Sequence, residues 1–327
     1  MIISRTPFRV SLFGGGSDFR EHYTRRPGRV VGLTIDRYMF VTVNRRFDHT
    51  IRASYTSTEI VGHVDELQHD LIRAAMKVVG IQTGIEVTTI ADIPAGIGLG
   101  SSSALTVGLL NALHAYRGEH RSAEYLAEKA SEIEIDILGR PIGKQDQYMA
   151  AYGGFRQFEF LGDETVRVDP IICDPRTQQR MLSHLMLFYT GVTRDAGSVL
   201  GEAKVRIGSN GHTQAAMDEI VGLADRFTSM ISKNHLHNVG GLLDRGWQLK
   251  KQMGSKVTNG SLDGLYERAR RAGAEGGKVA GAGGGGCLLL WVPPRKHAAV
   301  RTALLRQGLK EISFAREPHG SRIIYVG

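Results

Sequence analysis

The sequence predicts an α+β fold in which strands dominate the start of the chain and helices follow them. Residues 5–13 and 30–47 carry β-branched and aromatic side chains with stretches of period-2 alternation, which is typical of strands. Residues 65–80 instead place apolar side chains at helical spacing and end on Gly80. Strands and helices that occur in separate runs favour an α+β fold over a doubly wound parallel sheet.

The later elements are predicted from the same signals. In the first half we expect a strand at 85–90, a glycine- and serine-rich loop at 94–103, and helices at 104–116 and 122–138. Polar residues and prolines accumulate over 163–176, which predicts an N-terminal domain over 1–170 and a C-terminal domain over 171–327. In the second half we expect strands at 184–189, 278–282, 287–292 and the end of the chain, and helices over roughly 212–252, 261–272 and 295–308.

Composition excludes several classes of protein. The chain is 42% hydrophobic and 23% charged, which excludes a disordered or collagen-like protein. Its formal net charge of +8 favours anionic partners, but the basic residues are dispersed and do not alternate with aromatics, so nucleic-acid binding is disfavoured. No apolar run approaches the roughly 18 residues of a membrane span, and the start of the sequence lacks a signal peptide. With two widely separated cysteines and no metal-ligand spacing, we expect a cytoplasmic protein.

Glycine is the unusual part of the composition, at 41 of 327 residues against a usual share of about 7%. The glycines cluster at 14–16, 96–100 and 281–286. The central cluster lies between a predicted strand and an apolar helix, where free N–H groups of the first helical turn can form an anion site. The alternative is an ordinary glycine-rich turn in which a serine caps the helix.

Two familiar phosphate-binding motifs are excluded. A P-loop needs Gly-Lys followed by Ser or Thr, and neither Gly143-Lys144 nor Gly277-Lys278 has that residue. The dinucleotide pattern G-x-G-x-x-G occurs at 281–286, but an apolar strand follows it, whereas that motif opens a helix.

Three segments, in order, resemble the motifs of the GHMP small-molecule kinases, the family of galactokinase, homoserine kinase and mevalonate kinase. Residues 6–19 resemble the N-terminal motif, residues 94–104 the ATP loop P-x-x-x-G-L-G-S-S-x-A, and residues 278–287 the third motif K-x-x-G-A-G-x-G-G-C. The three segments span nearly the whole chain. The resemblance implies a two-domain GHMP kinase fold, with a ribosomal S5 domain 2-like N-terminal domain and a ferredoxin-like C-terminal domain.

Within this family the chain is most similar to the D-glycero-D-manno-heptose 7-phosphate kinases. The segments that carry this similarity are Gly14 to Asp18, Gln145 to Tyr148, Tyr152 to Phe155, and Thr193-Arg194. The similarity implies phosphorylation of the anomeric hydroxyl to give the 1,7-bisphosphate, for nucleotide-activated heptose in capsule or lipopolysaccharide synthesis. Another anomeric sugar kinase (for fucose, galactose or an N-acetylhexosamine) and a non-catalytic sugar-phosphate sensor remain open. Gly15 and Gly16 stand where galactokinase has Glu and His, which argues against plain galactose.

The resemblance also implies roles for single residues. Asp146 matches the Asp that accepts or orients the proton of the sugar hydroxyl, and Arg9 matches the basic residue beside it. Ser102 and Glu134 match the hydroxyl and carboxylate that hold Mg²⁺, although three adjacent serines leave the register open by one position. The residues expected to contact ATP are Gly96, Gly98, Leu99, Gly100, Ser101, Ser102, Ser103, Gly283 and Gly284.

The acceptor side is expected around Asp18, which matches the family's sugar-contacting Asp; without the resemblance it would be an ordinary turn residue. The other residues expected there are Gly15, Gly16, Ser17, Arg194 and Lys144. Arg194 and Lys144 are the candidates for the phosphate that the substrate already carries, and the arginines at 25, 26 and 29 are weaker ones. The expected partners are therefore a sugar phosphate and ATP, without nucleic acid or membrane, and a homodimer is left open.

Overall fold

The computed structural model describes residues 1–192, 196–209 and 211–327, which form two β-sheets covered by helices. The strands are β1 (Ile2–Phe13), β2 (Gly28–Arg45), β3 (Ile51–Ser54), β4 (Thr58–Val61), β5 (Ile85–Ala91), β6 (Phe155–Phe160), β7 (Val166–Pro170), β8 (Leu185–Tyr189), β9 (Gly276–Val279), β10 (Cys287–Trp291), β11 (Lys310–Glu311) and β12 (Arg322–Val326). The helices are α1 (Arg20–Tyr23), α2 (Asp70–Val79), α3 (Ser101–Tyr116), α4 (Ala123–Ser131), α5 (Gln145–Tyr152), α6 (Pro175–His184), α7 (Ala196–Ser209), α8 (Gly211–Ser232), α9 (Val239–Lys251), α10 (Gly260–Ala272) and α11 (His297–Leu305).

The first sheet has eight strands and is organised around the long strand β2. Six strands follow the order β12-β1-β2-β5-β3-β4, and β6 with β7 extends from the first half of β2. All neighbours are antiparallel except β3 and β5. Helix α3 packs on β1 and β2, and its side chains from Ala104 to Leu110 are buried, so it forms the centre of the core on this side.

The second sheet has four antiparallel strands in the order β11-β8-β10-β9. Counted within this sheet the order is 4-1-3-2, and helices connect the first strand to the second and the third to the fourth. This is the β-α-β-β-α-β arrangement of a ferredoxin-like fold. The expected α+β class and the ferredoxin-like C-terminal part are therefore confirmed.

The end of the described chain returns to the first sheet. Strand β12 pairs with β1, with Ile2 opposite Val326, and Ile35 forms a bridge with Arg316. The division near residue 170 remains a prediction, and the return of residues 316–326 to the first sheet is a feature that the sequence analysis did not anticipate.

Helix boundaries differ from expectation where local backbone geometry breaks the helical pattern. The predicted helix over 122–138 is α-helical only to Ser131, and a wider π-helical turn over Glu132–Ile137 follows it. The predicted helical region over 212–252 is interrupted at 233–238, where Asn234 and Asn238 both adopt positive φ. Within the described residues, no helix has the combination of length and apolarity needed to cross a membrane.

Candidate active site

A cavity of about 660 Å³ opens where the three glycine clusters meet. The backbone of the central loop lies between strands β1 and β10, which lead into and out of the other two clusters. Arg9 N–H of β1 donates to the carbonyl of Leu99 at 3.1 Å, and Cys287 N–H of β10 donates to the carbonyl of Ile97 at 3.0 Å. A Cβ atom on Gly281 would lie 2.6 Å from the Cα of Gly98, so this approach of two backbones requires glycine.

Helix α3 begins at the cavity without a side-chain cap. Its N-cap residue is Gly100, which has a φ of +78°, and no side chain accepts a hydrogen bond from the first turn. Ser101, Ser102 and Ser103 lie inside this turn and line the cavity. The serine-capped turn, the alternative to an anion site, is therefore not what forms here. The first-turn N–H groups lie at the cavity, as an anion site requires.

Arg9 and Asp146 form a two-point ion pair in the cavity wall. Nε of Arg9 donates to Oδ1 of Asp146 at 2.7 Å, and Nη2 donates to Oδ2 at 2.6 Å. The third nitrogen, Nη1, donates to the carbonyl of Gly98 at 2.6 Å and ties the pair to the central loop. The side chain of Arg9 is 5% exposed and that of Asp146 is 24% exposed, so the carboxylate is the member that a ligand can reach.

Asp18 is buried and joins the first glycine cluster to the start of α5. Its Oδ1 accepts from Gly16 N–H and from Nε2 of Gln145, both at 2.9 Å, and its Oδ2 accepts from Gln145 N–H at 3.1 Å. Burial is the main reason that the pKa of Asp18 is raised. A carboxylate has about four lone-pair positions, so these three bonds leave about one for a ligand.

Ser102 and Glu134 lie together on the opposite wall. Oγ of Ser102 donates to Oε2 of Glu134 at 2.5 Å, and Nε2 of Gln147 donates to Oε1 at 3.0 Å. The π-helical turn buries Glu134 completely, and this burial raises its pKa. Arg140 supplies the nearest positive charge: its Nη1 donates to Oγ of Ser102 at 2.5 Å and lies 3.4 Å from Oε2 of Glu134.

This wall carries net negative charge. Asp70 and Glu134 provide two carboxylates, and the guanidinium of Arg140 bridges them, with Nη2 2.9 Å from Oδ2 of Asp70. A hydroxyl and a carboxylate side by side are hard oxygen ligands of the kind that Mg²⁺ takes when a nucleotide and water supply the others. Ser102 and Glu134 therefore fit Mg²⁺, although no three His, Cys, Asp or Glu side chains of the described chain group as a self-sufficient metal cluster.

Most of the predicted site residues line one cavity. Those that do are Arg9, Gly15, Gly16, Asp18, Gly96, Gly98, Gly100, Ser101, Ser102, Ser103, Glu134, Asp146 and Gly283. Residues up to 274 positions apart in the sequence, Arg9 and Gly283, are thus brought together. The roles assigned to them remain predictions.

Four predicted residues do not line the cavity. Ser17 is fully buried, with its Oγ donating to the carbonyl of Gly14 at 2.8 Å, and Leu99 is buried in the core. Gly284 lies behind Gly283, where its N–H donates to the carbonyl of Val257. The ammonium of Lys144 pairs with Glu164 and lies 5.0 Å from the ring centre of Tyr23. Lys144 therefore has a carboxylate partner outside the cavity, and its role at a substrate phosphate remains a prediction.

The weaker phosphate candidates, the arginines at 25, 26 and 29, do not line the cavity. Thr193 and Arg194 lie outside the described residues. The arginine group binds the second half of the chain: Arg26 pairs with Asp218, and Nη1 of Arg29 lies 2.7 Å from Oδ2 of Asp225. These arginines hold helix α8 against the first sheet.

Four charged residues that line the cavity were not predicted from the sequence: Asp70, Arg140, Lys250 and Lys278. Lys278 is the first residue of the third motif, but the motif alone predicts no role for its side chain. Arg140 lies just after the end of the helix predicted over 122–138, where a basic residue carries no specific signal. Lys250 lies in an amphipathic helix, where lysine is ordinary, so no local signal distinguishes it.

Comparison with known proteins agrees with this geometry. The GHMP kinases N terminal domain matches residues 67–154, and the GHMP kinases C terminal domain matches residues 229–310. D-glycero-alpha-D-manno-heptose 7-phosphate kinase of Campylobacter jejuni is 29% identical over 97% of each chain. Mevalonate kinase of Methanothermobacter thermautotrophicus is 28% identical over 88% of this chain and 89% of its own. The crystal structure of a D-glycero-D-manno-heptose 1-phosphate kinase from Bacteroides thetaiotaomicron superimposes with a TM-score of 0.83 at 25% identity, covering 100% of both chains.

The chain belongs to the GHMP kinase family. The two matched regions cover both halves and together about half of the sequence, and they include Ser102, Glu134, Asp146, Lys250 and Lys278. The predicted two-domain GHMP kinase fold and its phosphotransferase activity, with ATP as co-substrate, are confirmed at this level.

Proposed function

We propose that this protein is an ATP-dependent sugar kinase that phosphorylates the anomeric hydroxyl of D-glycero-D-manno-heptose 7-phosphate and produces the 1,7-bisphosphate. The observation that carries the proposal is the ion pair between Arg9 and Asp146 in the cavity wall. It presents a partly exposed carboxylate beside the start of α3, so that a hydroxyl can lie between a base and an anion site.

The acceptor side of the cavity suits a polyhydroxylated ligand. Oγ of Ser11 and Oε1 of Gln145 are buried and have no hydrogen-bond partner among the residues that the structure describes. Both residues line the cavity near Asp18, which keeps about one lone-pair position of its own. Buried polar atoms normally have partners, so these unpaired atoms favour a ligand with several hydroxyl groups.

In the proposed reaction the anomeric hydroxyl lies between Asp146 and the terminal phosphoryl group of ATP. Its proton passes to the carboxylate of Asp146 while its oxygen forms a bond to the γ-phosphorus. The bond from that phosphorus to the oxygen bridging to the β-phosphate breaks, and ADP leaves. Arg9 holds the carboxylate at two points, and its remaining N–H groups can stabilise negative charge on the transferred group.

The nucleotide would bind at the start of α3. Its phosphates would accept from the first-turn N–H groups, which no side chain caps. Ser102 and Glu134 would hold Mg²⁺, which when bound supplies positive charge to the phosphate oxygens. Arg140 keeps Glu134 and Ser102 in place from the other side.

The identity of the sugar rests on the relatives. The Campylobacter jejuni protein and the Bacteroides thetaiotaomicron structure are both named as kinases of a phosphorylated heptose, on the 7-phosphate and the 1-phosphate respectively. A 7-phosphate leaves the anomeric hydroxyl free to accept, and a 1-phosphate does not. We therefore favour the 7-phosphate, with the product entering the synthesis of nucleotide-activated heptose for capsule or lipopolysaccharide.

The test is an ADP-release assay over a panel of acceptors. The panel contains heptose 7-phosphate, heptose 1-phosphate, unphosphorylated heptose, fucose, galactose and N-acetylhexosamines. We expect the highest kcat/KM for heptose 7-phosphate, and phosphorus NMR of the product should show a new phosphate on C1. A higher kcat/KM for fucose or galactose would contradict the proposal, and no turnover of any acceptor would support the sugar-phosphate sensor instead.

A further inference from the structure

Two lysines of the second half of the chain project into the cavity wall without a carboxylate partner. Lys250 is half-buried near the end of α9, and its ammonium donates to the carbonyl of Gly281. Lys278 is 8% exposed in β9, and its Nζ donates to the carbonyl of Leu12 at 3.0 Å. Among the residues that the structure describes, no Asp or Glu oxygen lies within the 4 Å of a salt bridge from either ammonium group, whereas the adjacent Lys251 pairs with Asp263.

The charges around these lysines do not balance. Arg9 and Asp146 neutralise each other, which leaves Lys250 and Lys278 against the single carboxylate of Asp18. Burial lowers the pKa of both lysines, that of Lys250 to about 8, and the positive charge of Arg9 adds to the effect. Buried charges in proteins are normally paired, so two lysines beside one free carboxylate on this side of the cavity favour an anionic ligand there.

The bond from Lys278 to the carbonyl of Leu12, two residues before the first glycine cluster, relates this lysine to the acceptor side, and Lys250 lies beside it. Arg9 and Asp18 influence the pKa of both lysines, and Asp146 also influences that of Lys250. Lys250 and Lys278, together with Gly14 and Gly15, line a second small cavity of about 20 Å³. The groups that act on Glu134 are instead Ser102, Ser103, Arg140 and Gln147, so the metal and nucleotide wall has its own cation.

We infer that Lys250 and Lys278 bind a phosphate group that the acceptor sugar carries in addition to its reacting hydroxyl, an inference that rests on the proposed function. A phosphate monoester has a charge between about −1.5 and −2 at neutral pH, which compensates the excess positive charge of this side. Its oxygens would accept from ammonium groups that now donate only to backbone carbonyls. Lys250, which lies outside the three motif segments, would then be the residue that selects phosphorylated sugars over neutral ones.

The inference is tested with Lys250→Met, which keeps the length of the side chain and removes its charge. The control is Lys251→Met, which removes the neighbouring lysine on the same helix. For each protein, kcat and KM are measured with heptose 7-phosphate, with unphosphorylated heptose and with ATP. We expect Lys250→Met to raise the KM for heptose 7-phosphate at least about tenfold, the scale of one lost charged hydrogen bond, and to change the KM for ATP and kcat/KM for unphosphorylated heptose by much smaller factors. Lys251→Met should resemble the wild type.

The outcomes separate this inference from the proposed function. If the wild type prefers heptose 7-phosphate and Lys250→Met retains that preference, the lysines do not bind the phosphate and the inference is overturned. A rise in the KM for ATP without a change for heptose 7-phosphate would also overturn it, because it would place Lys250 on the nucleotide side. If the wild type itself does not prefer the phosphorylated sugar, the proposed substrate is wrong. Lys250→Arg provides a second variant, which should keep the preference since it keeps the charge.

Discussion

Gly143 lies so close to Asp18 that a Cβ atom at residue 143 would overlap Oδ2 of the carboxylate. The carboxylate can reach Gln145 N–H only because residue 143 has no side chain. The first glycine cluster and the start of α5 are therefore held together by a contact that depends on the absence of one methyl group.

Gly143→Ala should displace Asp18 and weaken acceptor binding. We expect the KM for the sugar to rise about tenfold or more, equal to 1.4 kcal/mol of binding free energy, while the KM for ATP changes little. The matched control is Gly264→Ala, since a Cβ atom there meets nothing within 4 Å. An unchanged KM for the sugar in Gly143→Ala would mean that Asp18 does not act in acceptor binding.

Asp146→Asn removes the proposed base and keeps the size of the side chain. We expect kcat to fall by at least about 10²-fold, the usual scale of general-base catalysis, with ATP affinity largely kept in a direct binding measurement. Asp169→Asn is the control, because Asp169 is exposed on strand β7. Turnover close to that of the wild type would show that Asp146 is not the base.

Arg140→Gln should destabilise the protein through Glu134. Without Arg140, the buried Glu134 has no cation within salt-bridge distance among the described residues. Leaving a buried charge unpaired typically costs about 3–5 kcal/mol, so we expect a clear fall in Tm at pH 7. Arg52→Gln, which removes a surface pair with Glu86, should cost about 1 kcal/mol or less.

The pH dependence of this loss follows from Glu134. Its pKa is already raised by burial, and removal of Arg140 should raise it further. The penalty exists when the folded protein holds an ionised Glu134, above its folded pKa, and it disappears as the carboxyl takes up a proton. The difference in Tm between wild type and Arg140→Gln should therefore shrink as the pH falls from 7 to 5. Added Mg²⁺ should also reduce it if Ser102 and Glu134 hold the metal.

Lys250→Met should stabilise the protein at neutral pH. The lowered pKa of about 8 means that the folded state holds the ammonium less favourably than the unfolded state does. This cost is present in full below pH 8 and is lost as the pH rises toward 10.5, because only the unfolded state then keeps the proton. We expect the free energy of unfolding at pH 7 to rise by about 1–3 kcal/mol, measured by urea denaturation. A fall in the free energy of unfolding would contradict this prediction and would indicate that the bond from Lys250 to Gly281 stabilises the fold.

The glycine-rich loops were predictable because their function constrains the backbone itself. A run such as Gly96 to Gly100 leaves a signature that is independent of distant residues, and the observed contact between Gly98 and Gly281 shows why both positions lack side chains. The residues of the three motifs could thus be assigned from local sequence. Strands β8 and β10 of the ferredoxin-like sheet were equally clear, since their apolar runs are continuous.

The charged residues that complete the cavity could not be predicted in this way. Lys250 is one of two consecutive lysines in α9, and only the fold shows that Lys251 pairs with Asp263 while Lys250 meets Gly281. Arg140 depends on the π-helical turn that brings Glu134 beside it, and such a turn has no distinct sequence pattern. The ion pair of Lys144 could not be predicted either, because its partner Glu164 is 20 positions away and has a positive φ.

The pairing of β12 with β1 has a consequence for how the molecule is made. Strand β1 precedes the other strands of the first sheet, and its edge partner β12 follows the whole ferredoxin-like sheet in the sequence. Contacts between residues so far apart in sequence are slow to form because of the entropy lost in closing the loop. The first sheet should therefore be completed only after β12 has been synthesised, and removal of β12 should leave the edge of β1 open to pairing with other chains.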